Sequence, residues 1–168
     1  MSVDDDQVAR ERGPFAGSPG HIDAPFRPTP DDAVEKMLDL AGVGPGDRLV
    51  DLGCGDGRIV LAAARRGAEA LGVDIDPERI AEAEAAAVTV GVASRARFSV
   101  GDLFDLDLSE FDVVTLYLLP GVNRWLEGRL KCDLRPGARV VSFCFAMPEW
   151  PAAAEEPYGF STIYLWTV

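Results

Sequence analysis

Leu49-Val50-Asp51-Leu52-Gly53-Cys54-Gly55-Asp56-Gly57 sets three glycines at alternate positions behind an apolar run that ends in an acid. Glycines so spaced let the backbone turn tightly and approach a ligand that side chains would block. The dinucleotide pattern G-x-G-x-x-G is not met, because Arg58 stands three residues after Gly55. Asp51 and Asp56 would repel a pyrophosphate, whereas a cation bearing an amino group and a sulfonium would be attracted. About 20 residues beyond the glycines, Leu71-Gly72-Val73-Asp74-Ile75-Asp76 supplies an acid that can grip both hydroxyls of a ribose, with Ile75 against a base. A third stretch, Val100-Gly101-Asp102-Leu103-Phe104, offers Asp102 as acceptor for an exocyclic amine, and Leu103 joins the same candidate site.

These acids act together only if the fold brings them to one edge. Thr29 can cap a helix with Pro30 at its first position, and Asp31 and Asp32 suit the positive end of its dipole. Val34, Met37, Leu38 and Ala41 then recur at helical spacing until Gly42. Strands are expected over 48–52, 70–74, 97–100, 112–118, 139–145 and 161–168, and helices over 57–66, 77–90 and 122–131. Asp76 is the expected cap of the second of these helices, with Pro77 at its first position. Between Trp150 and Tyr164 there is little room for a full sixth strand. Strands alternating with helical crossovers predict an α/β, three-layer Rossmann-like sandwich, its sheet mostly parallel with an antiparallel C-terminal strand. Asp51, Gly53, Asp74, Asp102 and Tyr117 then fall at or just beyond strand C-termini, the edge where open α/β sheets bind ligands.

A chain of 168 residues has room for one domain, expected over 26–168, and a flexible acidic arm over 1–25. The arm holds His21, the only histidine, which excludes a histidine-based catalytic triad. The net charge of −12 argues against nucleic acid, because phosphate contacts need clustered Lys and Arg. It favours a cationic partner. Three cysteines without C-x-x-C spacing point to neither a disulfide framework nor a metal site. With an acidic start and no apolar run of membrane-span length, the expectation is a cytoplasmic protein.

Taken together, Asp51-x-Gly53-x-Gly55-x-Gly57, Asp74 and Asp102 resemble the cofactor motifs of class I (seven-β-strand) S-adenosylmethionine-dependent methyltransferases, over roughly 28–145. A closer resemblance is to the small protein-lysine methyltransferases of the ATP synthase c subunit and their archaeal group. It rests on Pro25-Phe26-Arg27-Pro28-Thr29-Pro30, the stretch 50–60, Val114-Thr115-Leu116-Tyr117-Leu118-Leu119-Pro120, the stretch 134–142 and the ending Tyr164-Leu165-Trp166. It implies S-adenosylmethionine as cofactor, held by Phe26, Thr29, Asp51, Gly53, Cys54, Gly55, Asp74, Ile75, Asp102 and Leu103. It further implies a cover formed by residues 26–30 and a substrate-side loop over 117–120. The chain departs from the group in having Phe26-Arg27 where that group has Tyr-Val, and Phe143-Cys144 where it often has a histidine.

Methyl transfer from a sulfonium is an in-line displacement that asks the protein to position partners and exclude water. It needs no enzyme nucleophile, so Cys54 reads as a small buried filler. A lysine acceptor must arrive neutral, and desolvation beside aromatic rings and a cation depresses its pKa. Tyr117 is the leading candidate beside the acceptor, with Phe26 and Trp125 as further wall residues, while Trp150, Phe143 and Phe145 read as core. The acceptor is expected to be a cationic protein's lysine. A small-molecule amine or peptide acceptor, and a non-catalytic cofactor-binding role, stay open on the residues alone.

Overall fold

The computed structural model describes residues 27–168. Strand β1 (Arg48–Leu52) is buried at every position but Arg48, and Leu49, Val50 and Leu52 are fully buried. Such a run belongs in the middle of a parallel sheet covered on both faces. β1 pairs in parallel with β2 (Glu69–Asp74) on one side and with β4 (Val113–Leu116) on the other. β3 (Ala96–Val100) and β5 (Arg139–Phe143) extend the parallel sheet outward in the two directions. The final hairpin, β6 (Ala154–Tyr158) and β7 (Ser161–Thr167), adds β7 antiparallel to β5 and leaves β6 at the edge. The strand order is β3-β2-β1-β4-β5-β7-β6, so the winding reverses between β1 and β4. That switch point opens a crevice at the strand C-termini.

Helices α1 (Asp31–Leu40), α2 (Arg58–Arg65) and α3 (Pro77–Thr89) supply Met37, Leu38, Val60, Ala63 and Ala83 to one face of the sheet. α4 (Pro120–Asp133) supplies Leu126 and Leu130 to the other, where Trp166 of β7 is also fully buried. The three-layer sandwich and its antiparallel final strand match the sequence expectation. Asp76 does cap α3, its side chain accepting a hydrogen bond from the Glu78 N–H at 2.9 Å, with Pro77 at the first position. Among the described residues, no helix is long and apolar enough to cross a membrane.

Local expectations shift at four places. Thr29 does not cap α1: the helix starts at Asp31, Pro30 occupies the cap without a side-chain bond, and Thr29 is buried one step earlier. The first intrahelical bond runs from Val34 N–H to the Pro30 carbonyl (3.0 Å), so Pro30 holds the cap position and Thr29 lies one residue outside it. β4 stops at Leu116, not 118, because Pro120 opens α4 two residues before the expected start. β5 stops at Phe143, not 145, since Cys144 adopts φ 72, the one positive value among the described residues other than glycines. The next carbonyl, that of Phe145, accepts hydrogen bonds from Asn123 Nδ2 (3.1 Å) and Ser142 Oγ (2.7 Å), both on buried side chains, and this clamp holds the turn. Finally, the sixth strand does fit. A two-residue turn at Gly159-Phe160 (Gly159 φ 56) suffices to close the hairpin, and Pro157 is tolerated because β6 lies at the edge.

Candidate functional site

The glycine turn leaves β1 and is pinned to the end of β2. The N–H groups of Gly53 and Cys54 both donate to the Val73 carbonyl, at 2.8 and 3.0 Å. Gly55 N–H donates to Asp74 Oδ2 at 2.8 Å, and Asp76 N–H to Asp74 Oδ1 at 2.9 Å. Asp74 therefore braces the turn before any ligand arrives. A carboxylate has about four acceptor positions, so two stay open for hydroxyl donors.

The turn admits no side chain where it bends. Gly53 has φ 78, and a Cβ there would lie 2.9 Å from Leu118 Cδ2. Gly57 has φ 81, and its Cβ would meet Phe98 Cε1 at 2.7 Å and Ala83 Cβ at 2.8 Å. Gly57→Ala is expected to destabilise the fold by roughly 2–5 kcal/mol, adding left-handed backbone strain to overpacking. Chemical denaturation measures it, and a loss under about 1 kcal/mol would contradict the crowding, being below the usual cost of overpacking.

Asp51 is only 3% exposed. Thr115, its neighbour across β4 in the sheet register, donates Oγ1–H to Asp51 Oδ1 at 2.8 Å. Among the described residues no cation pairs with it. Burial pushes its pKa up to about 7; the Thr115 bond opposes this, and the negative charges of Asp74 and Asp56 add to it. Here an acid stands in a cavity wall, poised for a positive charge. Asp102 uses one oxygen to accept from Phe104 N–H at 2.9 Å, fixing a short helical turn over Leu103–Asp105 after β3.

These groups line one cavity of about 370 Å³. Its walls hold Thr29, Asp51, Gly53, Cys54, Gly55, Asp74, Ile75, Asp102, Leu103 and Tyr117, each of them expected from the sequence. Phe26 lies outside the described residues. Trp125 is half-buried on α4 and does not line the cavity. Arg27, Pro28 and Leu118 line it as parts of the stretches 26–30 and 117–120, and Asp56 as part of the glycine turn, whereas Arg58, Ile59, Arg79 and Val122 line it without having been singled out. Thr115 was missed as the partner of Asp51, since only strand register brings the two together.

Cys54 is buried at the foot of the turn, in the space a Cβ on Gly72 would fill. Burial, reinforced by Asp51 and Asp74, pushes its thiol far up, so it packs and does not react. Tyr117 also lines the cavity. Its ring meets Phe143 edge-on at 5.0 Å, and Phe143 in turn meets Tyr158 at 5.5 Å. Burial raises the phenol pKa, and neighbouring Cys144 raises it further against the opposing charge of Arg27. The hydroxyl therefore stays protonated at neutral pH.

The groups present fit an adenosine-bearing cation: a glycine cradle, a buried acid with no cation beside it, and two strand-end acids with spare acceptor positions. Comparison with known proteins agrees. The sequence model of the ANTKMT methyltransferase domain matches residues 51–154. A protein-lysine N-methyltransferase of Saccharolobus islandicus (strain REY15A) is 41% identical over 150 residues, covering 86% of this chain and 93% of that protein. The adenine nucleotide translocase lysine N-methyltransferase of Mus musculus is 34% identical over 155 residues, and the match covers 92% of this chain and 67% of the mouse protein. Among solved structures, an RNA methyltransferase from Salinibacter ruber in complex with S-adenosyl-L-homocysteine is 47% identical with a TM-score of 0.82, covering 84% of this chain and 93% of that one.

Proposed function

The chain belongs to the ANTKMT methyltransferase-domain family and is an S-adenosylmethionine-dependent methyltransferase, and we propose that its acceptor is the side-chain amine of a protein lysine. The observation that carries the acceptor is the match to an archaeal protein-lysine N-methyltransferase along nearly the whole length of both chains. In this reading residues 26–168 act as one catalytic domain in the cytoplasm, where free thiols persist.

The donor brings an activated methyl group on a sulfonium. Asp51 faces its positive charge, Asp74 accepts from the ribose hydroxyls, and Asp102 accepts from the adenine amine. Ile75 and Leu103 flank the base, while Thr29 covers the cofactor. Tyr117 accepts a hydrogen bond from the incoming amine and aligns its lone pair with the transferring methyl. With its phenol pKa raised, Tyr117 orients the amine and does not deprotonate it. The lysine loses its proton to solvent as the aromatic wall desolvates it. Tyr117→Phe is expected to lower kcat about fivefold to tenfold, the worth of one hydrogen bond, with donor affinity unchanged. Unchanged turnover in Tyr117→Ala would remove the residue from the acceptor site.

One observation favours a second reading, an RNA acceptor: the structural relative from Salinibacter ruber bears the name RNA methyltransferase. The net charge of −12 weighs against it, since RNA phosphates need a basic surface. Incubating the enzyme and isotope-labelled donor with protein and RNA fractions from cells lacking its gene decides the matter. Mass spectrometry should find label on lysine nitrogen. Label confined to RNA or to small molecules would overturn the acceptor and leave the fold and donor standing.

A further inference from the structure

We infer that Arg58 is a positioning residue that sets cofactor residence time by joining the glycine turn to the segment that covers it, an inference resting on the methyl-donor reading of the cavity. Arg58 is the first residue of α2, where a cation opposes the helix dipole, and the first turn holds no acid to offset it. A residue placed against its local preference is expected to have a use elsewhere. Its guanidinium supplies that use by reaching in two directions at once. Nε donates to Asp56 Oδ1 at 3.1 Å and Nη2 to Asp56 Oδ2 at 2.6 Å, which fixes the far limb of the glycine turn. Nη1 donates to the Thr29 carbonyl at 3.1 Å and lies 3.4 Å from Asp31 Oδ1.

Thr29, Asp56 and Arg58 all line the cavity. Among the described residues, no other hydrogen bond joins Pro28 or Thr29 to the β1–α2 turn. Thr29 uses only its carbonyl in this contact, and Pro28 and Pro30 have no N–H to offer, so the segment depends on an outside donor. A planar fork with several fixed N–H groups can serve a carboxylate and a carbonyl together; a lysine ammonium is a point charge that cannot span both in the same way. Asp31 adds little, being 93% exposed and screened by solvent. The bridge thus sets how the Thr29 segment sits against the glycine turn, and Arg58 acts on the reaction through Asp56 and Thr29.

The test uses the full chain with Arg58→Gln and Arg58→Lys, titrated with S-adenosyl-L-homocysteine by calorimetry and followed by stopped-flow dissociation. Arg58→Gln should raise Kd about tenfold, the worth of one hydrogen bond to a charged group, with the rise in the dissociation rate and little change in association. KM for the donor should rise in step while kcat at saturating donor stays at the wild-type value. The ligand-free melting temperature should stay near that of the wild type, which separates loss of the bridge from loss of the fold. Arg58→Lys should fall between the two, and it decides the matter if the glutamine variant fails to fold. A wild-type dissociation rate in either variant overturns the proposal, as does a fall in kcat at unchanged donor KM. A wild-type chain that does not bind S-adenosyl-L-homocysteine at all is a different failure, that of the donor reading itself.

Discussion

Asp74→Ala is expected to abolish useful donor binding, raising Kd by at least a hundredfold. Two charge-assisted bonds to ribose hydroxyls are lost at about 1.5–3 kcal/mol each, or roughly 3–6 kcal/mol together. The same change leaves Gly55 N–H and Asp76 N–H without their acceptor, so the glycine turn loses its brace as well. Asp74→Asn separates the two effects. It keeps one oxygen acceptor for a backbone donor but lacks the charge and turns an NH₂ toward the other, and should lose about tenfold or more. Calorimetry with donor and with S-adenosyl-L-homocysteine measures both variants. Wild-type affinity in Asp74→Ala would remove the ribose assignment.

The second large effect is pH dependence set by Asp51. Its carboxyl titrates near 7 in the folded chain against an ordinary value of 3.8. A folded pKa above the unfolded one contributes stability that is full below about 3.8 and lost as pH rises to about 7. Across that window the cofactor-free protein should lose on the order of 4 kcal/mol through this one group. Asp51→Asn, neutral at every pH, should flatten the profile and unfold later than the wild type at pH near 8, above the titration window of the acid.

Donor binding runs the other way. The cation favours the charged carboxylate, so donor Kd should rise about tenfold for each pH unit below 7, until the bound form also protonates. Binding near pH 6, about a unit below this pKa, should release a proton, which calorimetry in buffers of different ionisation enthalpy detects. A donor affinity flat from pH 5.5 to 8, a range that spans the expected titration, would show that Asp51 does not face the cation.

Why such a group sits in this chain is legible in part from sequence. The alternating glycines, the acid before them, the strand-end acids Asp74 and Asp102 and the Asp76-Pro77 helix entry are all local signals. Each depends on residues within a few positions, where backbone sterics and capping decide the outcome. By itself, therefore, the sequence determined the α/β alternation, the strand edge at which the glycine turn and the acids meet, and about half of the residues that line the cavity there. The rest is long-range. Asp51 meets Thr115 across 64 positions because β1 and β4 pair in one particular register, and that register also buries the acid and moves its pKa. Arg58 reaches back 29 positions to Thr29 because α1 and α2 pack on the same face. Asp74 serves as a brace for the turn before it serves a ligand, which no strand-end position reveals. The sixth strand and the left-handed Cys144 depend on a hairpin and on a carbonyl clamped by Asn123 and Ser142 from two other elements. Register, burial and the electric environment of a side chain are set by which elements pair and pack, and only the tertiary structure decided them.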